Sequence, residues 1–185
     1  MAIFQTEQDR QSYLQFLAAE AGRFEVEILA GGLMTNHVHF IAVPKRGDSL
    51  ARAFGEAHRR YTRMRNFREG IRGYLFQGRF SSCVLDERHL LAAASYVELN
   101  PVRAGIVKKA WAYPWSSASF HTGWRKTDPL GSWGPPSTGF QTEDRMKRQN
   151  VVDGSVNEGV LKDLNLSYFP FLNVLEIKGL AVLDG

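Results

Sequence analysis

Apolar positions recur along this chain with two different periods, and the switches between them mark the elements. In "TEQDRQSYLQFLAAEAGRF" the residues Tyr13, Phe16, Leu17 and Phe24 return at helical spacing, with Thr6 placed to cap the first turn. "EVEILAGGLM" predicts a strand turning at Gly31-Gly32, and "LMTNHVHFIAV" a second strand ended by Pro44. Asp48 or Ser49 caps a long basic helix to about Phe67, whose Leu50, Phe54, Ala57, Tyr61 and Met64 form its apolar stripe. "GYLFQGRFSSCVLD" has strand character between Gly73 and Leu85. Asp86 then caps a helix, "ERHLLAAASYVELN", which Pro101 is expected to stop. An aromatic segment, "WAYPWSSASF", follows. Beyond Gly123 turn formers take over, and "NLSYFPFLNVLEIKGLAVL" is apolar enough to fold back onto the domain. The order helix–strand–strand–helix–strand–helix is α+β, a ferredoxin-like βαββαβ pattern without its first strand.

The second strand carries the candidate chemistry. A period of two puts His37 and His39 on one face and Val38 on the other, so the pair offers two nitrogen ligands to one divalent ion. Two imidazoles leave zinc, manganese, iron and nickel all open, and they need a third ligand and a reactive group nearby. In "SYVELNP", Tyr96 and Asn100 stand four residues apart and share a helical face, whereas Glu98 faces nearly the opposite way. Each also has an ordinary reading: Tyr96 as an aromatic packing the helix on the sheet, Asn100 as a helix terminus before proline.

Length and composition narrow the setting. The 185 residues, 44% of them hydrophobic, suit one packed domain with extensions. A single cysteine, Cys83, can form neither an internal disulfide nor a thiolate zinc site, which fits a reducing cytoplasm. The opening "MAIFQTEQDRQ" lacks the pattern of a signal peptide, and no apolar run approaches the roughly 20 residues that span a bilayer. The net charge of +4 is uneven: Lys45 to Arg79 holds ten Lys or Arg against three acids, leaving the remainder net acidic. Concentrated arginine suits a phosphate-rich partner; the ordinary alternative is a solvated helix face.

The segments "LMTNHVHFIAVP", "YLFQGRFSSCVLDERHLLAAASYVELNPVRAGIV" and "YPWSS" together resemble the bacterial REP-associated tyrosine transposases of the single-tyrosine HUH superfamily. "HVH" matches the His-hydrophobic-His motif, and "YVELN" the tyrosine motif with an amide four residues on. The likeness runs from about Phe4 to Ser119. It implies a metal-dependent endonuclease and strand transferase of DNA transposition, cutting single-stranded DNA beside palindromic REP-type hairpins through a 5′-phosphotyrosine intermediate. By position, Tyr96 would be the nucleophile, His37, His39 and Asn100 the ligands, and Mg²⁺ or Mn²⁺ the cofactor. Arg52, Arg59, Arg60 and Arg63 would track the phosphates of the hairpin stem. His89, seven residues before Tyr96, is left out of the site as a helix-start histidine.

The expected organisation is a catalytic domain over residues 1–122, N-terminally truncated, then a linker and tail of unknown role over 123–185. The expected setting is cytoplasmic and nucleoid-associated, as monomer or homodimer, without a membrane. Members begin with a strand that this chain lacks before Thr6, so upstream sequence, a partner or the tail must fill a gap in the sheet unless the chain is a decayed copy. Thr35 stands where proline is usual, and the end beyond Gly123 departs from the family. Two other readings compete: a non-catalytic hairpin-binding remnant of such a transposase, and an unrelated metal hydrolase using His37 and His39.

Overall fold

A computed structural model describes residues 2–78, 80–85, 87–125 and 172–178; side chains of residues 87–89, 91 and, save Leu175, of 172–178 lie outside the description. The fold is mixed α+β. Helix α1 (Glu7–Arg23) leads to β1 (Val26–Leu33), β2 (His37–Pro44) and helix α2 (Ser49–Glu69). Strand β3 (Ser81–Leu85), helix α3 (Glu87–Arg103), a 3₁₀ turn at Ala110–Ala112, the short α4 (Ala118–His121) and β4 (Leu172–Lys178) follow. No helix among the described residues is long and apolar enough to cross a membrane.

The sheet is antiparallel throughout, in the order β1-β2-β4-β3. The tail therefore supplies a central strand: β4 hydrogen-bonds to β2 on one edge and to β3 on the other. The segment expected to be a tail without a role closes the gap expected beside the histidine strand.

Alternation along β2 divides the molecule into two layers of contact. Val38, Phe40 and Ala42 are buried on one face with Ile28, Leu33 and Leu175, under Tyr13, Leu17 and Ala21 of α1 and Phe54, Ala57 and Tyr61 of α2. Ile41 and Ala30 are buried on the other face, under Leu90 and Val97 of α3. A bulge between Ile28 and Ala30 shifts β1's alternation, so each stretch still presents its apolar residues to the nearer helices.

Two sequence expectations fail at glycine and proline. Gly31 and Gly32 lie inside β1, and the chain turns at Thr35-Asn36 instead. The glycines serve close approach: a Cβ on Gly31 would stand 2.6 Å from the Phe40 ring, and one on Gly32 would touch the Val97 carbonyl of α3 at 3.5 Å. Pro101 sits within α3, not after it, and the helix runs on to Arg103. Its missing N–H releases the carbonyl of Val97, four residues back, and Ala104 N still donates to the Asn100 carbonyl at 2.9 Å. The strand expected from Gly73 begins only at Ser81, and the cap expected at Asp86 lies outside the described residues.

The α1–α2 pair is locked by a buried charge. Arg65 is fully buried, donates to the Ile3 carbonyl at 2.6 Å and lies 3.2 Å from Asp9, itself buried. Asp9 Oδ2 also accepts from the backbone of Gln5 and Thr6 at the start of α1, and Oδ1 meets Arg68 at 2.7 Å. Burial pushes the Asp9 carboxyl up, but the Gln5 N–H, Arg68, the Thr6 N–H and Arg65 outweigh it and hold the group below its ordinary value. A depressed folded-state value adds stability that is present above the unfolded value and lost as pH falls through the folded one. Asp9→Asn is expected to cost about 1–3 kcal/mol at neutral pH, because it removes one charged acceptor of Arg65 and Arg68 while Arg65 keeps Glu69 as its partner at 2.5 Å. In urea denaturation the gap to wild type should narrow below about pH 4, where the carboxylate of the unfolded wild-type chain starts to protonate, and keep narrowing as pH falls through the lower folded value.

Candidate active site

Both histidines of β2 stand on the face covered by α3, and α3 brings its own polar residues to them. The His37 and His39 rings lie edge to face with centroids 4.8 Å apart. The Tyr96 ring meets His39 in the same manner at 5.6 Å, and Asn100 Nδ2 lies 2.9 Å from His39 Nε2. The four residues picked from two distant motifs thus converge. Helical spacing places Tyr96 and Asn100 one above the other, and the absence of a side chain at Gly32, opposite His39, lets α3 settle close over that register.

Hydrogen bonds set the ring tautomers. His37 Nδ1 lies 2.8 Å from Asn36 Oδ1, so Nδ1 carries the proton and Nε2 the lone pair. His39 Nε2 accepts from the Asn100 amide, which makes it the unprotonated nitrogen too. A turn of the Asn100 amide would present its oxygen in place of its NH₂ group. Two imidazole nitrogens and one amide oxygen then form a neutral donor set that fits a divalent cation, with Asn36 orienting His37 from behind. Among the described residues no three His, Cys, Asp or Glu side chains gather into a larger ligand group.

Access separates Tyr96 from the other phenols on these helices. Tyr13 and Tyr61 are fully buried, and burial pushes the Tyr61 phenol up to about 12 and that of Tyr13 higher still. Tyr96 is 48% exposed, with Arg103 stacked on its ring at 5.1 Å. Arg103 is absent from the sequence expectations, although a spacing of seven puts it two turns on along the same helical face. Asn36 is absent from them as well, since nothing in "TNH" distinguishes an orienting amide from a turn residue.

Glu98 faces away, as its spacing predicts, and anchors the helix. Ser117 Oγ donates to Glu98 Oε1 at 2.6 Å, and His121 Nδ1 donates to the same oxygen. All three are buried. The "YPWSS" segment meanwhile pairs with the outer edge of β1: Tyr113 OH and Ser117 N donate to the carbonyls of Leu33 and Gly31, and Leu33 N to that of Trp115. Glu98 thereby ties α3 to β1 through Ser117 and fixes the rotation that turns Tyr96 toward the histidines.

The four candidate phosphate-binding arginines lie elsewhere. They belong to α2, on the opposite face of the sheet from Tyr96. Arg60 binds Glu20 of α1 at 2.7 Å and covers Phe16, and Arg52 binds Asp48 and covers Phe24. Arg59 pairs with Glu56. Arg59 and Arg63 border a groove of about 1340 Å³ between α2 and the stretch from Ile71 to Gly78, with Phe80, and lined by His58 and Phe76. Burial pushes His58 down to about 3, and the neutral ring shares a hydrogen bond with Tyr13 OH at 3.1 Å and stacks on Phe76. The basic helix is thus partly consumed in holding α1, and no arginine of the four reaches the tyrosine. The side chain of His89 lies outside the described residues.

Comparison with known protein families, curated proteins and solved structures returns no match for this chain.

Glu98→Ala should cost about 1–3 kcal/mol, because it leaves Ser117 and His121 buried without their shared acceptor. Chemical denaturation measures the loss; an unchanged midpoint would remove Glu98 as the anchor of α3.

Proposed function

We propose that this chain cleaves and rejoins single-stranded DNA beside a palindromic hairpin, with Tyr96 as nucleophile and a divalent cation held by His37, His39 and Asn100. The observation that carries this reading is the convergence of a half-exposed phenol, two imidazoles on one strand face and an amide across the helix–sheet contact. The motif resemblance supplies the reaction class. The placement of α1 and α2 on one face of a sheet, with β4 between β2 and β3, supports a ferredoxin-like βαββαβ arrangement in which β4 stands for the first strand.

The chemistry follows from the residues. Tyr96 Oη attacks the scissile phosphorus; a phosphotyrosine bond to the 5′ side forms as the bond to the 3′ oxygen breaks. The phenol gives its proton to solvent and the departing 3′ oxygen takes one up. The covalent link conserves the phosphoester for rejoining, when the 3′ hydroxyl attacks and Tyr96 leaves. A bound Mg²⁺ or Mn²⁺ would neutralise a non-bridging phosphate oxygen. Arg103, a cation against the Tyr96 ring, would hold the flanking phosphate.

A hairpin with a single-stranded foot, incubated with Mn²⁺, should yield a covalent protein–DNA adduct on a denaturing gel. Tyr96→Phe should abolish the adduct and retain hairpin binding. Arg103→Ala should weaken binding and lower the salt slope by about one, whereas Arg52→Ala and Arg60→Ala should leave that slope alone. Adduct formation by the Tyr96→Phe protein would refute the assignment of the nucleophile, and binding without any adduct would favour the non-catalytic remnant.

A further inference from the structure

Helix α2 has a face that neither the core nor its ion pairs use. Its buried stripe packs under the sheet, and Arg52, Glu56 and Arg60 pair with Asp48, Arg59 and Glu20. Ala51 and Gly55 stand exposed one turn apart, and Thr62 and Asn66 continue their row. Glycine inside a helix is unfavourable relative to alanine, and a close approach is the usual reason to keep one. A Cβ on Gly55 would meet nothing within 4 Å among the described residues. Packing within those residues does not explain this glycine.

The wall that faces this row is fixed in place. Gly70, in the left-handed region at φ 65°, ends α2. Asn66 Nδ2 then donates to the Gly73 carbonyl at 2.8 Å, and Leu75 and Phe76 plug into the core. The groove of about 1340 Å³ is therefore preformed, and it follows α2 from Ala51 to Phe67, about 24 Å at the helical rise. A helix about 11 Å across, sunk to half its width over that length, displaces about 1100 Å³, close to the volume of the groove.

Chemistry selects among occupants. Phe67 is 91% and Tyr74 83% exposed, and Ile71 lies with them along the groove. Arg59, Arg63 and Arg72 line it too; Arg59 meets Glu56, whereas Arg63 and Arg72 make no ion pair with a described residue. No Asp or Glu is among the described residues of the lining. Its amide and imidazole are already engaged, Asn66 with Gly73 and His58 with Tyr13. Phosphates or base edges sunk between the walls would lose water without gaining those donors, whereas apolar side chains gain by burial. A second copy offering the same face would set arginine against arginine. The remaining fit is a helix with apolar residues at i, i+3, i+4 and i+7 turned inward and carboxylates along its flanks.

We propose that the groove between α2 and the stretch from Ile71 to Gly78 is a docking site for an acidic amphipathic helix of a partner protein. It lies across the sheet from Tyr96 and is independent of the reaction assigned there.

The test presents the full chain with a displayed library of helical peptides about four turns long. Leucine, isoleucine or phenylalanine occupies i, i+3, i+4 and i+7, and the flanks carry glutamate in one version and lysine in the other. The glutamate version should yield binders and the lysine version none. A fluorescein-labelled glutamate binder should lose affinity about tenfold or more in Gly55→Leu, which fills the groove yet favours the helix; a raised urea midpoint shows that the fold is intact. Arg63→Glu with Arg72→Glu should release that peptide and take up its lysine-flanked counterpart, a reversal that lowered stability cannot imitate. A library without binders, or binders indifferent to both Gly55→Leu and the charge reversal, overturns the proposal. So does a labelled oligothymidylate that binds where no peptide does and is weakened by Gly55→Leu and Phe67→Ala, since the groove is then a nucleic-acid track. Hairpin adduct formation by Gly55→Leu should equal wild type, which separates loss of the groove from loss of the Tyr96 chemistry.

Discussion

The strand His37–Pro44 must satisfy two faces and two edges at once, and the rest of the molecule is arranged around that demand. Its even-numbered residues Val38, Phe40 and Ala42 fill the core beneath α1 and α2, while its odd-numbered residues His37, His39 and Ile41 face α3. A slip of one residue would drive two imidazoles into an apolar core and expose Phe40. Register is therefore fixed far more strongly by Val38, Phe40 and Ala42 than by any bond the histidines make. Pairing on both edges, to β1 and to β4, holds the strand flat against that choice. The imidazoles are thus held in place by a core on the other face of the sheet.

Charge is divided by the same partition. Of the basic run between Lys45 and Arg79, Arg65 is buried against Asp9, Arg68 also reaches Asp9, and Arg52 and Arg60 cover aromatic residues of α1 and its C-cap. An exposed ion pair contributes little to stability, whereas a fully buried pair is costly to break. Arg65 consequently counts as structure and Arg63 as surface, though both lie on one helix, two residues apart. A local charge excess reports where arginines are dense and leaves open which helix face carries them. The cation stacked on Tyr96 comes from α3, outside the basic run altogether.

What was legible in the sequence follows from range. Thr6 and Asp9 form their capping box within four residues, and the stripe Leu50, Phe54, Ala57 and Tyr61 reads at a single period, so local spacing alone reveals α1 and α2. The shared face of Tyr96 and Asn100 is likewise a local property of one helix. Gly31-Gly32 misled because glycine serves turns and close approaches alike, and only the Phe40 ring across the strand pair distinguishes them. Pro101 misled because a proline near a helix end removes one donor without forbidding the following residues. The pairing of β4 with β2 was beyond reach: "LNVLEIK" has strand character, but nothing within it names its neighbours or its register. His58 and His39 also look alike as letters in apolar surroundings; one is a stacked neutral ring in the core, and the other meets an amide and a phenol.

The distance in sequence between β2 and β4 sets the order of assembly. The β1–β2 hairpin closes across a few residues, whereas Phe40 and Leu175 must meet across most of the chain. Closure entropy grows only logarithmically with that separation, but contacts of such range form late and slow the folding of a sheet. Until β4 docks, β2 and β3 present facing unpaired edges. Docking of β4 therefore completes the sheet beside the strand that carries His37 and His39.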